Sequence, residues 1–263
     1  MKKAYNNKMK DIFSVILLFV CLFVFNTACG LDIYIVVDEP RSVLHTPYYD
    51  SEYADRYFHF RTNENRNNIE VGDKFRGTEI YYKIYNSYSQ MSNQVGSINS
   101  KINSDDYKAD AADQLIMNYK FVPLKAAGYK STPMITAKAK DSQEIRIRLT
   151  DYQDLDAFAA DIKIDDKTLV PNENETTKKT QPLRNFDDLN FNFGRHGADE
   201  KSRIPEEGDD DVVFSSTTSD DDAHKWYVPL YAVSVALMED YTYNYSIPLY
   251  LGCVTIDDRE ENN

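Results

Sequence analysis

Glu144-Ile145-Arg146-Ile147-Arg148-Leu149-Thr150 alternates charged and apolar residues along its whole length. A period of two sends successive side chains to opposite faces, so the stretch reads as a strand with one face in a core and the other in water. Downstream, Ala160-Asp161-Ile162-Lys163-Ile164-Asp165 repeats the pattern and runs into the turn-forming Asp165-Asp166-Lys167. Residues 57–61 and 78–85 are further β-branched and aromatic runs. Residues 226–237 are apolar on both faces, as a central strand requires, and Pro229 demands a bulge, bend or edge because it cannot donate to a ladder. Residues 247–256 read as the hairpin partner of that strand, with residues 240–246 as the connection. Strands are therefore expected near residues 32–37, 57–61, 78–85, 143–150, 159–165, 226–237 and 247–256.

One region breaks the pattern. Met91, Val95, Ile98 and Ile102 recur at spacings of four, three and four, which places them on one helical face. A second helix is expected from Ser104 or Asp105 as N-cap, carrying Tyr107, Ala111, Leu115 and Asn118 along one side and ending before Pro123. Two helices over about 88–120 inside a β chain read as an insertion that covers a sandwich edge. Residues 171–222 read as surface loops, and residues 199–222, with the triplets Asp209-Asp210-Asp211 and Asp220-Asp221-Asp222, as a mobile acidic loop. Only Phe191-Asn192-Phe193 and Val212-Val213-Phe214 look able to reach a core there.

The first residues carry an address. Lys2, Lys3, Lys8 and Lys10 precede an apolar run over 12–25, followed by Asn26-Thr27-Ala28-Cys29-Gly30. A basic start, a short apolar segment and small residues before a cysteine read as a cleavable lipoprotein signal over residues 1–28 with lipidation at Cys29. At about 1.5 Å per helical residue the apolar run is too short for a hydrocarbon core of roughly 30 Å. An uncleaved anchor and a plain secretory signal are the competing readings. The expected mature chain, 29–263, is one domain. Its net charge is about −16, against −13 for the whole sequence, because residues 1–28 hold four lysines and Asp11. Such a surface excludes generic phosphate binding, so no nucleic-acid partner is expected. Cys21 and Cys29 belong to the signal, leaving Cys253 alone, so no internal disulfide forms in the mature chain. Its strand-like surroundings make Cys253 a small core residue, expected on the same face as Leu249 and Leu251.

Three further stretches carry a resemblance. Phe75-Arg76-Gly77-Thr78-Glu79-Ile80-Tyr81-Tyr82-Lys83-Ile84-Tyr85-Asn86 resembles a strand of a group of spirochaete lipoproteins of unknown function. Tyr227-Val228-Pro229-Leu230-Tyr231-Ala232-Val233 and Tyr245-Ser246-Ile247-Pro248-Leu249-Tyr250-Leu251-Gly252 resemble their closing hairpin. The resemblance implies an immunoglobulin or fibronectin type III-like sandwich with helices inserted after the tyrosine-rich strand. It implies no catalytic residue, and the acidic stretch matches nothing in that group.

Catalytic signatures are missing from the sequence: there is no Gly-x-Ser-x-Gly elbow, no His-Glu-x-x-His, no phosphate loop and no Cys-x-x-Cys. His45, His59, His196 and His224 are scattered and read as surface or structural residues. Asp151, Asp154 and Asp156 offer carboxylates, but a glycosidase pair is defined by separation in space. The acidic triplets lack the spaced register of a calcium loop. The reading is therefore no catalytic residues, no metal and no cofactor. The aromatic excess remains. Tyr48 and Tyr49, with Tyr53 and Tyr57, precede one strand, and Tyr241 and Tyr243, with Tyr245, lie near the last hairpin. Tyrosine offers a rigid apolar body with a polar tip, so Tyr48, Tyr49, Tyr241 and Tyr243 are the candidate ligand-binding residues. The expected protein is a lipid-anchored, extracytoplasmic binding protein, more at home on an outer than an inner membrane, whose partner is an envelope or host protein or glycan. A hydrolase and a purely structural envelope lipoprotein are the alternatives.

Overall fold

A computed structural model describes residues 36–129, 132–139, 141–151, 159–169, 180–194, 200–217 and 223–259. The chain divides into Met1–Tyr34 and Ile35–Asn263, and all described residues belong to the second unit. The expected signal and Cys29 lie outside the described residues. In chain order the strands are β1 (Ser42–His45), β2 (Phe58–Arg61), β3 (Phe75–Tyr82), β4 (Ile84–Tyr85), β5 (Val122–Pro123), β6 (Lys125–Ala126), β7 (Ile135–Thr136) and β8 (Glu144–Arg148). There follow β9 (Asp161–Ile164), β10 (Lys167–Thr168), β11 (Pro182–Leu183), β12 (Val212–Val213), β13 (Lys225–Leu237), β14 (Tyr243–Tyr245) and β15 (Leu249–Asp257). The principal helices are α1 (Glu64–Glu70) and α2 (Tyr88–Ile102).

The architecture is mainly β and sandwich-like. The first sheet runs β1-β2-β8-β9-β10, antiparallel throughout. Its alternating strands meet in register, with Phe58 opposite Ile147, Phe60 opposite Ile145 and Ile147 opposite Ile162. Asp165 and Asp166 both take positive φ, 52° and 61°, which gives the tight turn between β9 and β10 the twist a two-residue hairpin favours. The second sheet is built on β13, which pairs with β3, β4, β14 and β15. Between the sheets lies one core: Phe58, Phe60, Ile145, Ile147 and Ile162 from the first, and Ile80, Tyr82, Val228, Leu230 and Val254 among those from the second. Phe191 and Phe193 join it as expected.

β13 is buried on both faces, so its far side needs a cover, and α2 supplies it. Met91, Val95 and Ile98 pack with Tyr81, Tyr85, Tyr227, Tyr231 and Val233. Ser87 caps the helix by accepting from the Gln90 amide, 3.4 Å. The helix thus lies on a sheet face and not along a sandwich edge. Pro229 sits between the contacts Leu230–Tyr82 and Tyr227–Tyr85, where the β3–β4 edge is interrupted at Lys83, so its missing N–H costs no ladder bond.

Several expectations are corrected. Of residues 32–37, those up to 35 lie outside the described residues, and Val36 and Val37 are not in a strand. α1 has no counterpart in the sequence reading; its residues are polar apart from exposed Ile69, and it forms over buried Glu64 and Asn67. The second helical run is a 3-10 turn, one α turn and a π turn over residues 108–118, with Ala111 and Leu115 buried but Tyr107 and Asn118 exposed. Residues 243–245 are a strand and not a connection. Arg148, expected in water, is buried because its guanidinium donates to the carbonyls of Tyr53, 2.6 Å, and Ala54, 3.0 Å. Cys253 is buried, yet it faces Tyr85 and Tyr231 while Leu249 and Leu251 face the inter-sheet core. The register steps from Leu230–Gly252 to Tyr231–Tyr250, and this bulge of one extra residue inverts the alternation.

The acidic stretch is corrected most strongly. Asp209 and Asp211 are buried and close on buried Arg184, and the β12 segment beside them pairs in parallel with β4. The described part of this stretch is a strap pinned by buried Ser202, Pro205, Asp209 and Asp211, with Glu206, Glu207, Gly208 and Asp210 exposed between them. The second triplet, Asp220-Asp221-Asp222, lies outside the described residues.

Candidate functional site

Gly252 positions the site. Its φ is +122°, and a Cβ there would stand 2.7 Å from the Pro47 carbonyl oxygen and 2.8 Å from Thr46 Cγ2. With no side chain, residues 46–47 lie directly on β15, where the Cys253 amide donates to that Pro47 oxygen at 3.3 Å. The chain then turns at residues 48–51, held by the Ser51 amide on the Tyr48 carbonyl, 3.1 Å, and by the Tyr48 amide on Ser51 Oγ, 2.9 Å. This turn carries Tyr49 to the first residue of α2. The Tyr49 and Tyr88 rings stand 4.8 Å apart, and Tyr88 meets Tyr227 edge-on at 5.5 Å.

The three rings border a cleft of about 400 Å³ that also takes in Asp50, Arg56, Lys225, Thr255 and Asp257. Arg56 is fixed by its Nε on the Ser51 carbonyl, 2.7 Å, and its Nη1 on the Thr255 carbonyl, 3.3 Å. Burial pushes the Asp257 carboxyl up, but hydrogen bonds from Arg259 outweigh it and hold the carboxyl below the ordinary range. The cleft thus offers ring faces beside fixed charges of both signs, a surface for a ligand with apolar faces and many polar groups. Deeper in the same layer, burial pushes the phenols of Tyr231 and Tyr250 and the Cys253 thiol upward, so no nucleophile is prepared there.

All four tyrosines singled out from the sequence, Tyr48, Tyr49, Tyr241 and Tyr243, are exposed. Only Tyr49 lines the cleft. Tyr243 pairs with Leu237, ten residues along β13 from Tyr227, which is about 33 Å at ~3.3 Å per residue. The two tyrosine groups are therefore separate surfaces. Tyr88 and Tyr227 went unnoticed in the sequence because one reads as the first residue of a helix and the other as strand core. Of the histidines, His45 stacks on Tyr57 at 4.1 Å, His59 meets Glu144 at 2.7 Å and His224 meets Asp258 at 2.8 Å; His196 lies outside the described residues. Asp151 accepts from the Ala160 amide and from Asn192, whereas Asp154 and Asp156 lie outside the described residues. Among the described residues no helix is long and apolar enough to cross a membrane. Comparison with protein-family models, with curated proteins and with solved structures finds no match to this chain.

Proposed function

We propose that this chain is an exported lipoprotein, acylated at Cys29, whose β domain binds a glycan of the envelope or of a host surface in the Tyr49–Tyr88–Tyr227 cleft. The observation that carries the binding role is the chain of three rings flanked by Arg56, Lys225, Asp50 and Asp257. Ring faces pack on the C–H faces of sugars, while the charged rim hydrogen-bonds their hydroxyls. The lysines, apolar run and small residues before Cys29 support export and anchoring. Kinship with the spirochaete lipoproteins and a fibronectin type III-like sandwich belong to the same proposal. In their support, β3 and β4 lead directly into α2, and β13 with β15 forms a closing antiparallel pair.

Two measurements test it. A radioactive fatty acid should label the wild type and not Cys29→Ala. Tyr49→Ser with Tyr88→Ser should abolish retention on immobilised envelope polysaccharide while the melting temperature stays nearly constant, and Tyr241→Ser with Tyr243→Ser should leave retention intact. Equal labelling would end the anchoring claim, and unchanged retention would end the cleft claim.

A further inference from the structure

β3 changes its edge partner halfway along. β5 pairs with Tyr81 and Tyr82, β7 pairs with Gly77 and Thr78, and between them the chain turns away at Lys125 and returns at Ile135. A second cleft, about 390 Å³, opens there. Leu124, Met134 and Leu183 give it apolar walls, and its charged residues are Glu79, Lys125 and Asp188. Glu79 is 6% exposed, and its Oε1 accepts from the Met134 amide at 3.4 Å, which sets the carboxyl against the cleft wall.

The charges of the cleft do not balance. Lys125 Nζ is held by Asp188 Oδ1 at 2.8 Å and by the Asn185 carbonyl at 3.0 Å, so that pair cancels. No cation among the described residues pairs with Glu79. Burial pushes its carboxyl up to about 7, against hydrogen bonds from the Met134 and Ile80 amides that pull the other way. The other titratable groups near it are the phenols of Tyr81 and Tyr245, themselves raised by burial, and the phenol of Tyr129, which lines the same cleft. A buried carboxyl with no counter-ion stays protonated when the cleft is empty, and it ionises only when a cation enters beside it. A metal ion is a poor fit, since among the described residues no three His, Cys, Asp or Glu side chains gather.

We propose that this cleft binds an organic ammonium ion, a protonated primary amine on a short apolar body, with its charge at Glu79 and its body against Leu124, Met134 and Leu183. This site is separate from the tyrosine cleft and does not depend on its reading. Binding of the ammonium ionises Glu79, so below neutrality one proton leaves the carboxyl for each amine bound, and above neutrality none does.

Phenethylamine titrated calorimetrically into the intact protein tests this, with 2-phenylethanol as the neutral analogue. The amine should bind at least tenfold more tightly than the alcohol. Its affinity should rise about tenfold between pH 5.5 and 6.5 and level off by about pH 8, with proton release seen as buffer-dependent heat at the lower pH. Glu79→Gln keeps an acceptor for the Met134 amide and should erase the preference for the amine. Lys125→Ala, at an exposed position, frees the Asp188 charge and should tighten amine binding a few-fold. No binding, equal affinity for amine and alcohol, a preference that survives in Glu79→Gln, or amine affinity unmoved by Lys125→Ala would each overturn the proposal.

Discussion

Arg184 and Asp211 form a two-point ion pair closed to water. Arg184 Nε donates to Asp211 Oδ2 at 2.9 Å and Nη2 to Oδ1 at 2.5 Å, with side-chain exposures of 0% and 1%. Asp209 accepts a further bond from Nη2 at 2.7 Å, and Tyr82 Oη donates to Asp211 Oδ2 at 2.6 Å while taking the Asn185 amide, also at 2.6 Å. The guanidinium also lies over the rings of Phe186, 5.6 Å, and Phe193, 6.0 Å. A buried charge is tolerable only with such a set of partners, and the set ties the acidic strap to the central sheet through Tyr82.

Removing Arg184 leaves buried Asp211 without an ion-pair partner, while Asp209 keeps Arg203 at 2.7 Å. Arg184→Met should lower stability by about 3–5 kcal/mol in urea denaturation, and Arg184→Lys should recover little of it because an ammonium cannot reproduce the fork. In the wild type, residues 200–217 should resist limited proteolysis until the domain unfolds. Early cleavage there, or an unchanged midpoint in Arg184→Met, would contradict the pinned strap.

Gly252→Ala should cost about 2 kcal/mol or more, since it meets both a positive-φ backbone and the Pro47 carbonyl at 2.7 Å. Gly72→Ala is the control: its φ is +60° with open space around it, so only the left-handed penalty of about 1 kcal/mol applies. Thermal melts compare the two. Because the bulge seats residues 46–47, Gly252→Ala should also disturb the Tyr49–Tyr88 contact, which near-ultraviolet circular dichroism would register.

On β8, neighbouring side chains should behave oppositely. Ile147 is fully buried, and Ile147→Asp puts an unpaired charge in the inter-sheet core at a cost of about 4 kcal/mol or more. Arg146 lies outside the core, 4.0 Å above the Tyr57 ring, so Arg146→Ser should cost no more than about 1 kcal/mol. Equal shifts in melting temperature would overturn the assignment of faces.

Glu79 gives stability a pH dependence. Its folded-state value of about 7 lies above the ordinary 4.5, so its contribution is complete below about pH 4.5 and is lost as pH rises through 7. The loss amounts to ~3 kcal/mol at pH 8. Glu79→Gln should flatten the stability profile between about pH 4.5 and 8. A profile identical to the wild type would refute the burial of an ionisable group at this position.

The sequence by itself determined the elements whose information is local. Alternation marked β8 and β9, the residues Asp165 and Asp166 marked the turn that follows β9, and the four-three-four spacing of Met91, Val95, Ile98 and Ile102 marked α2. It did not carry the parity of β15, because a single extra residue at Gly252 inverts every side chain beyond it and leaves no trace in the hydrophobic pattern. Nor did it mark Arg184: Asp209 and Asp211 lie 25 and 27 residues away, and a run of aspartates reads as solvated until a cation is folded against it. The sites show the same division. Tyr49 was legible as a candidate ring, whereas nothing in the sequence singled out Glu79 from the aromatic strand around it. Their partners Tyr88 and Tyr227, and the cleft around Glu79, exist only once α2 covers the outer face of β13 and β3 exchanges β5 for β7 at its edge. Periodicity follows from bond geometry within a strand, whereas a site depends on which distant surfaces the chain brings together.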